Sequence, residues 1–228
     1  MVSKVAIIPA RKGSKRIPLK NIVNFHGKPL IAWTIGAALK SKVFDAVYVS
    51  TDSQKIANIS EKYGAKVPFL RTKYTDDNSS VSSVIIDFLE NLKKKKSKEF
   101  DVVFSLMPNC PLRTGQDIIR ADKNCTAKKA SFQLSCFEFG FMNPWWAFTL
   151  DKNCRPEYIH KSALKKRSQD LSKLFCPSGA IWIANIKALQ KSKTFYGPNH
   201  IFYKLGWKNA IDIDSKEDLE LAKSFSKN

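Results

Sequence analysis

Ten consecutive residues near the start of the chain, Arg11 to Lys20, hold five cations, Arg11, Lys12, Lys15, Arg16 and Lys20, around a lone glycine, Gly13. Cations crowded this closely repel one another unless an anion compensates them. Gly13 and Ser14 can present backbone amides to that anion, so the loop from Pro9 to Asn21 suits a polyphosphate. It is neither a Walker A loop nor a GxGxxG fingerprint, and the plainer alternative is a solvated basic loop. Near the other end, Asp212 and Asp214 flank Ile213. On a strand end both carboxylates share one face and can ligate magnesium, a hard cation that keeps several waters and takes phosphate oxygens for the rest of its shell. Ordinary capping acids are the competing explanation. The three histidines, His26, His160 and His200, are scattered and pair with no Ser or Cys constellation, which gives hydrolase chemistry little support.

The elements that must carry these residues alternate. Short apolar runs at Val5–Ile8, Ala46–Val49 and Val102–Leu106 are each followed by a helical pattern, at Leu30–Leu39, Ile56–Tyr63 and Ile118–Asn124. Strands apolar at nearly every position are buried on both faces, so the rhythm predicts a doubly wound α/β domain with a mainly parallel sheet. Thr114 with Asp117, and Ser215 with Asp218, carry the Ser/Thr-x-x-acid signature of a helix start. In such sheets ligands lie beyond the carboxyl ends of the strands, so segments after Ile8, Val49, Leu106 and Ile213 are expected to meet at one crevice. The stretch of about 137–176 breaks the alternation with aromatics, Pro144, Pro156 and a basic run from Lys161 to Arg167. It reads as an inserted arm that either joins another subunit or folds back.

The 228 residues fit one domain, with 43% hydrophobic residues and no sign of disorder. Lys and Arg outnumber Asp and Glu by 39 to 20, a formal charge of +19 that attracts nucleotides, acidic sugars or nucleic acid, or else reports lysine used for solubility. The run Lys93 to Lys96 reads as a solvated helix end. Five dispersed cysteines with no CxxC pair fit a reducing cytoplasm, and neither a signal-peptide core nor a membrane-length apolar run is present.

Several ordered motifs resemble one family. Ala10-Arg-x-Gly-Ser-Lys15 with Lys20-Asn21, Gly27-Lys-Pro-Leu30, Val49-Ser-Thr-Asp52, Arg71, Pro108-Asn-Cys-Pro-Leu-Arg113, Cys176-Pro-Ser-Gly-Ala-Ile181 and Ile211-Asp-Ile-Asp214 are similar to the CMP-nonulosonic acid synthetases, the CMP-sialate synthetase group, along nearly the whole chain. The resemblance implies a nucleotide-diphospho-sugar transferase-like fold with a mainly parallel, mixed sheet and a dimerisation arm, residues 1–228 forming a single cytidylyltransferase domain. It implies that Arg11, Gly13, Ser14, Lys15, Lys20 and Asn21 bind the nucleotide, with Arg71 and Ser79 or Ser82 near its ribose and base. The serine-rich stretch from Asn78 to Ser83 is equally a helix N-cap region. Asp212 and Asp214 would hold the Mg2+ cofactor, and Arg11, Lys20 and Asp214 would carry catalysis.

By the same resemblance Asn109, Arg167, Gln169, Trp182, Phe195 and Tyr196 would face the sugar, with Arg167 and Gln169 reaching it across a dimer interface. An arginine fork matches a sugar carboxylate, while core packing is the commoner occupation of such aromatics. The family often has Gln where this chain has Met107, and the string Arg167-Ser-Gln-Asp-Leu171 leans toward pseudaminate or legionaminate enzymes. The implied reaction is attack of the sugar's anomeric hydroxyl on the α-phosphate of CTP with loss of pyrophosphate, catalysed by positioning and charge neutralisation. The rivals are a cytidylyltransferase for an eight-carbon acid sugar, a metal-dependent glycosyltransferase, and a nucleic-acid-binding protein, for which no helix-turn-helix, zinc or RNA-recognition signature is present.

Overall fold

A computed structural model describes residues 2–96 and 98–225. In chain order the elements are β1 (Lys4–Pro9), the short strands β2 (Asn24–Phe25) and β3 (Lys28–Pro29), α1 (Leu30–Ser41), β4 (Ala46–Ser50), α2 (Gln54–Lys62), α3 (Val81–Lys96), β5 (Val102–Ser105), α4 (Gly115–Ala127), β6 (Phe132–Glu138), β7 (Phe148–Leu150), β8 (Pro156–Tyr158), β9 (Phe175–Asn185), α5 (Ile186–Ser192), β10 (Ile201–Lys204) and α6 (Lys216–Phe225).

Six strands form one sheet in the order β10-β6-β9-β5-β1-β4. β1 runs parallel to β4 and β5, β6 runs parallel to β10, and β9 alone is reversed, antiparallel to both β5 and β6. This is the mainly parallel, mixed sheet that the sequence predicts. Alternation within the strands explains why both faces are covered. Ala6 and Ile8 of β1 pack with Ile31 and Ile35 of α1, Ile56 of α2 and Ile118 of α4. Val5 and Ile7, pointing the other way, pack with Ile85, Phe88 and Leu92 of α3 and Leu189 of α5. Each fully buried Val, Ile, Leu or Phe side chain among them contributes about 1.5–3 kcal/mol.

Both helix-start signatures are formed. The Thr114 hydroxyl accepts from the Asp117 amide at 3.2 Å while Asp117 accepts from the Thr114 amide at 2.9 Å. At α6, Ser215 and Asp218 exchange the equivalent bonds at 3.2 and 2.8 Å. The hairpin β2–β3 turns through His26 and Gly27, both with positive φ, the two-residue geometry that favours glycine.

Between β6 and β9 the chain leaves the sheet, forms the small antiparallel hairpin β7–β8, and returns. On this excursion Phe141 is 82% exposed and Met142 66% exposed, and Leu150 and Ile159 are also on the surface. Where β6 meets β9 the register shifts, Leu134 lying opposite Trp182 but Ser135 opposite Ser178, so that Gly179–Ile181 bulge out of the ladder.

One expectation is corrected. The segment 211–214 is not a strand; it is a loop tied to the sheet end by the Ile213 amide, which donates to the Asn109 carbonyl at 2.9 Å. The apolar alternation of Ile211 and Ile213 arises because both side chains pack with Ile17, Phe25 and Leu219 beneath the first loop.

Candidate active site

The loops that follow β1 and β5 enclose a crevice of about 320 Å³, within the size range of small-molecule sites. One wall is the basic loop, contributing Arg11, Ser14, Lys15, Arg16, Lys20 and Asn21. Its shape has local causes. Ile17 is buried against Ile213 and Leu219, Leu19 adopts left-handed backbone at φ 52°, and the buried Asn21 amide donates to the Arg11 carbonyl at 3.0 Å. The Lys12 amide donates to Asp52 Oδ1 at 2.7 Å, fastening the loop to the end of β4. The opposite wall is Met107, Pro108 and Asn109 beyond β5, with Asp214; Arg71, Tyr74, Asp76, Asp77 and Ser79 close the far side.

The crowding of cations is answered from within the chain. Asp77 pairs with Arg11 and, at 2.7 Å, with Lys15. Asp214 takes Arg16 at 2.7 Å and Lys20 at 2.6 Å. The lysine and arginine bonds hold the Asp77 carboxyl below the usual carboxylate range. Burial raises the pKa of Asp214, but the Lys20 and Arg16 bonds outweigh it and leave it lowered. An external anion is therefore not the only way to balance the loop, and the Arg11–Lys20 cations meet two carboxylates that a phosphate tail would have to displace or share. Arg71, 7% exposed, has its guanidinium pKa lowered by burial, against the pull of Asp52 and Asp87.

The late acids converge although they are not on a strand. The Asn109 side-chain amide donates to Asp212 Oδ1 and lies 3.4 Å from Asp214 Oδ1. Burial of its surroundings, then the nearby charge of Asp214, push the Asp212 carboxyl up to about 6. The residue as a whole remains open to solvent. Two hard carboxylates held by one amide and already attracting cations form a donor set that fits magnesium. Among the described residues no cluster of three or more His, Cys, Asp or Glu side chains could hold a metal, so an ion here would need phosphate and water to complete its shell.

Of the residues singled out from sequence, Arg11, Ser14, Lys15, Lys20, Asn21, Arg71, Ser79, Asn109 and Asp214 line this one crevice, and Asp212 sits against Asn109. Others fall elsewhere. Gly13 is exposed and does not line the crevice, although a Cβ on it would lie 3.5 Å from Arg11 Nη1. Ser82 is buried and accepts from the Phe195 amide at 3.2 Å, a bond that ties α3 to the segment after α5. Phe195 is fully buried in the core against Trp182, which is partly buried at its edge with its indole donating to the Ser178 carbonyl at 2.8 Å. Tyr196 packs in a surface cluster with His200 and Phe202. Arg167 pairs with Asp170 on the arm, beside Gln169, and neither lines the crevice of its own chain.

Tyr74, Asp76 and Asp77 line the crevice without having been singled out. Their signal was two adjacent acids, in a chain poor in acids, between Arg71 and Ser79.

The cytidylyltransferase family model matches residues 5–105. Over 226 residues the chain is 34% identical to the pseudaminic acid cytidylyltransferase of Campylobacter jejuni, covering 99% of this chain and 97% of that protein. This chain belongs to the cytidylyltransferase family. It is also 34% identical to the CMP-N,N'-diacetyllegionaminic acid synthase of Legionella pneumophila, covering 97% of this chain and 95% of that one. The N-acylneuraminate cytidylyltransferase A of Danio rerio is 31% identical over 95% of this chain, which spans 49% of its length. A CMP:2-keto-3-deoxy-manno-octonic acid synthetase complexed with CTP superposes with a TM-score of 0.72 at 17% identity, covering 98% of each chain, and so shares the fold. As a member of this family the chain is a nucleotidyltransferase.

Proposed function

We infer that this cytidylyltransferase transfers CMP from CTP to the anomeric hydroxyl of a nonulosonic acid and releases pyrophosphate. The observation that carries the reading is the convergence of the basic loop after β1 with Asn109, Asp212 and Asp214 on one crevice, in a chain 34% identical along its length to two enzymes of that class.

In this reading Arg11, Lys15 and Lys20 grip the triphosphate, which takes the place of Asp77 on Arg11 and Lys15. Asn21 braces the loop, and Arg71 and Ser79 face the nucleoside. The anomeric oxygen bonds to the α-phosphorus, the bond to the bridging oxygen breaks, and the basic loop stabilises the charge on departing pyrophosphate. The hydroxyl proton leaves to water at the acid pair. Magnesium held by Asp212 and Asp214 would supply further charge neutralisation at the phosphates.

Two finer features belong to the same proposal. The exposed apolar arm joins a second copy, which would let Arg167 and Gln169 reach the carboxylate of a sugar bound by the partner. The enzyme works in the cytoplasm, a reading supported by five free cysteines; no described helix is long and apolar enough to cross a membrane.

The test is incubation with CTP, magnesium and a panel of pseudaminic, legionaminic and sialic acids beside an eight-carbon acid sugar. Pyrophosphate and a CMP-linked product are expected with a nine-carbon acid, most rapidly with pseudaminic or legionaminic acid. Turnover confined to the eight-carbon acid, or none with any sugar, would overturn the reading.

A further inference from the structure

Beneath the crevice lies an arginine to which the reaction so far gives no task. Arg113 ends the segment that leads from β5 to the cap of α4, is 2% exposed, and heads the largest fully buried side chains of the molecule. Its Nη1 donates to the Ala180 carbonyl at 2.6 Å and lies 3.4 Å from the Met107 carbonyl; Nε and Nη2 are buried without a partner among the described residues. No described carboxylate forms an ion pair with it. Asp117, whose charge it feels, commits Oδ2 to Thr114 and, at 2.6 Å, to Asn209. A buried cation without a counter-ion is costly. Packing alone therefore does not account for a guanidinium here.

What the guanidinium joins is specific. Ala180 belongs to the bulge where β9 slips against β6, and Met107 is the crevice lip beyond β5. The two already fit closely: the Met107 amide donates to the Gly179 carbonyl at 3.3 Å, and a Cβ on Gly179 would meet Met107 Cγ at 2.8 Å. Two residues after Met107 comes Asn109, whose amide holds Asp212 and faces Asp214. On the far side, Asp117 ties the α4 cap to Asn209, three residues before Asp212.

We propose that Arg113 is a positioning residue for the transfer: it clamps the Met107–Asn109 lip to the bulge of β9 and so fixes where Asn109 holds the acid pair. This rests on the cytidylyltransferase reading of the crevice. Because the basic loop hangs from β1, loss of the clamp is expected to spare CTP binding and to damage turnover.

Two variants, Arg113→Met and Arg113→Lys, test it in the full-length protein through melting temperature, pyrophosphate kinetics and amide hydrogen exchange. Arg113→Met is expected to melt close to wild type yet lose about a hundredfold in kcat, the scale of a displacement of roughly 1 Å at the reacting centre. KM for CTP should stay within about threefold. Exchange should quicken in peptides covering 105–112, 178–182 and 208–215 and not elsewhere. Arg113→Lys, which keeps one donor for Ala180, should recover part of kcat, and it decides alone if the methionine variant does not fold. Wild-type kcat with unchanged local exchange in a folded variant overturns the clamp, as does a loss spread evenly over kcat, KM and melting temperature. Exchange reads the clamp without turnover, so an inactive wild type would sink the functional reading while leaving the clamp open to this measurement.

Discussion

Replacing Lys20 by methionine removes one charge from the centre of the crevice and little else. Its ammonium lies 2.6 Å from Asp214 Oδ1 and its side chain is only 16% exposed, so it acts in a partly desolvated place. A single ammonium about 4 Å from a phosphate charge, at an effective dielectric near 20, is worth roughly 4 kcal/mol before the cost of desolvation. Removing one preorganised charge-stabilising group typically lowers kcat by about 10²–10³, and we expect Lys20→Met to fall in that range. The fold should not share the loss. Asp214 keeps Arg16 at 2.7 Å and is itself 40% exposed, so the change in unfolding free energy should stay under about 1 kcal/mol. Continuous pyrophosphate release at saturating CTP and acceptor, beside a thermal melt, measures both. A folded variant with kcat within about threefold of wild type would refute the placement of Lys20 on the reacting phosphates.

Asp212 gives a pH signature in the metal-free protein. Its folded pKa, pushed up to about 6, lies above the ordinary 3.8, so the folded state gains a proton before the unfolded one as pH falls; the penalty of its ionised form is complete above about pH 6 and fades toward pH 4. Asp212→Asn should therefore melt higher than wild type near pH 7.5 and converge with it near pH 4, and an equal difference at both pH values would contradict the shift. Asp77→Asn frees Arg11 and Lys15 for phosphate and should tighten CTP binding about two- to fivefold by calorimetry, the scale of an exposed ion pair; weaker binding would mean that Asp77 holds those cations in place instead. Changing both Phe141 and Met142 on the arm to serine should convert a dimer to a monomer in light scattering, and a wild type already monomeric at micromolar concentration would remove the arm's assigned partner.

The parts of the molecule legible from sequence are those where one local rule dominates. β1, β4 and β5 are apolar at nearly every buried position, with only the terminal Ser50 and Ser105 polar, and the Thr114 and Ser215 caps have fixed spacing, so their places follow directly. β9 escaped notice because Pro177 and Gly179 interrupt its pattern at the bulge. The acid segment 211–214 reads as a strand because packing of Ile211 and Ile213 mimics strand alternation. In the crevice, the cations announced themselves by density, but their partners Asp77 and Asp214 lie 66 and 198 positions from Arg11 and Arg16, distances no local pattern spans. Phe195 and Ser82 resemble ligand-facing residues by type, and only the packing of α3 against the segment after α5 shows that they are interior.

A crystal structure of the protein with CTP and magnesium would test the central claim most directly. The triphosphate is expected along Arg11, Lys15 and Lys20, with Asp77 moved off Arg11 and Lys15 and the metal between the phosphates and Asp212 and Asp214. CTP bound with its phosphates away from the loop after β1, or with the acid pair turned from them, would contradict it.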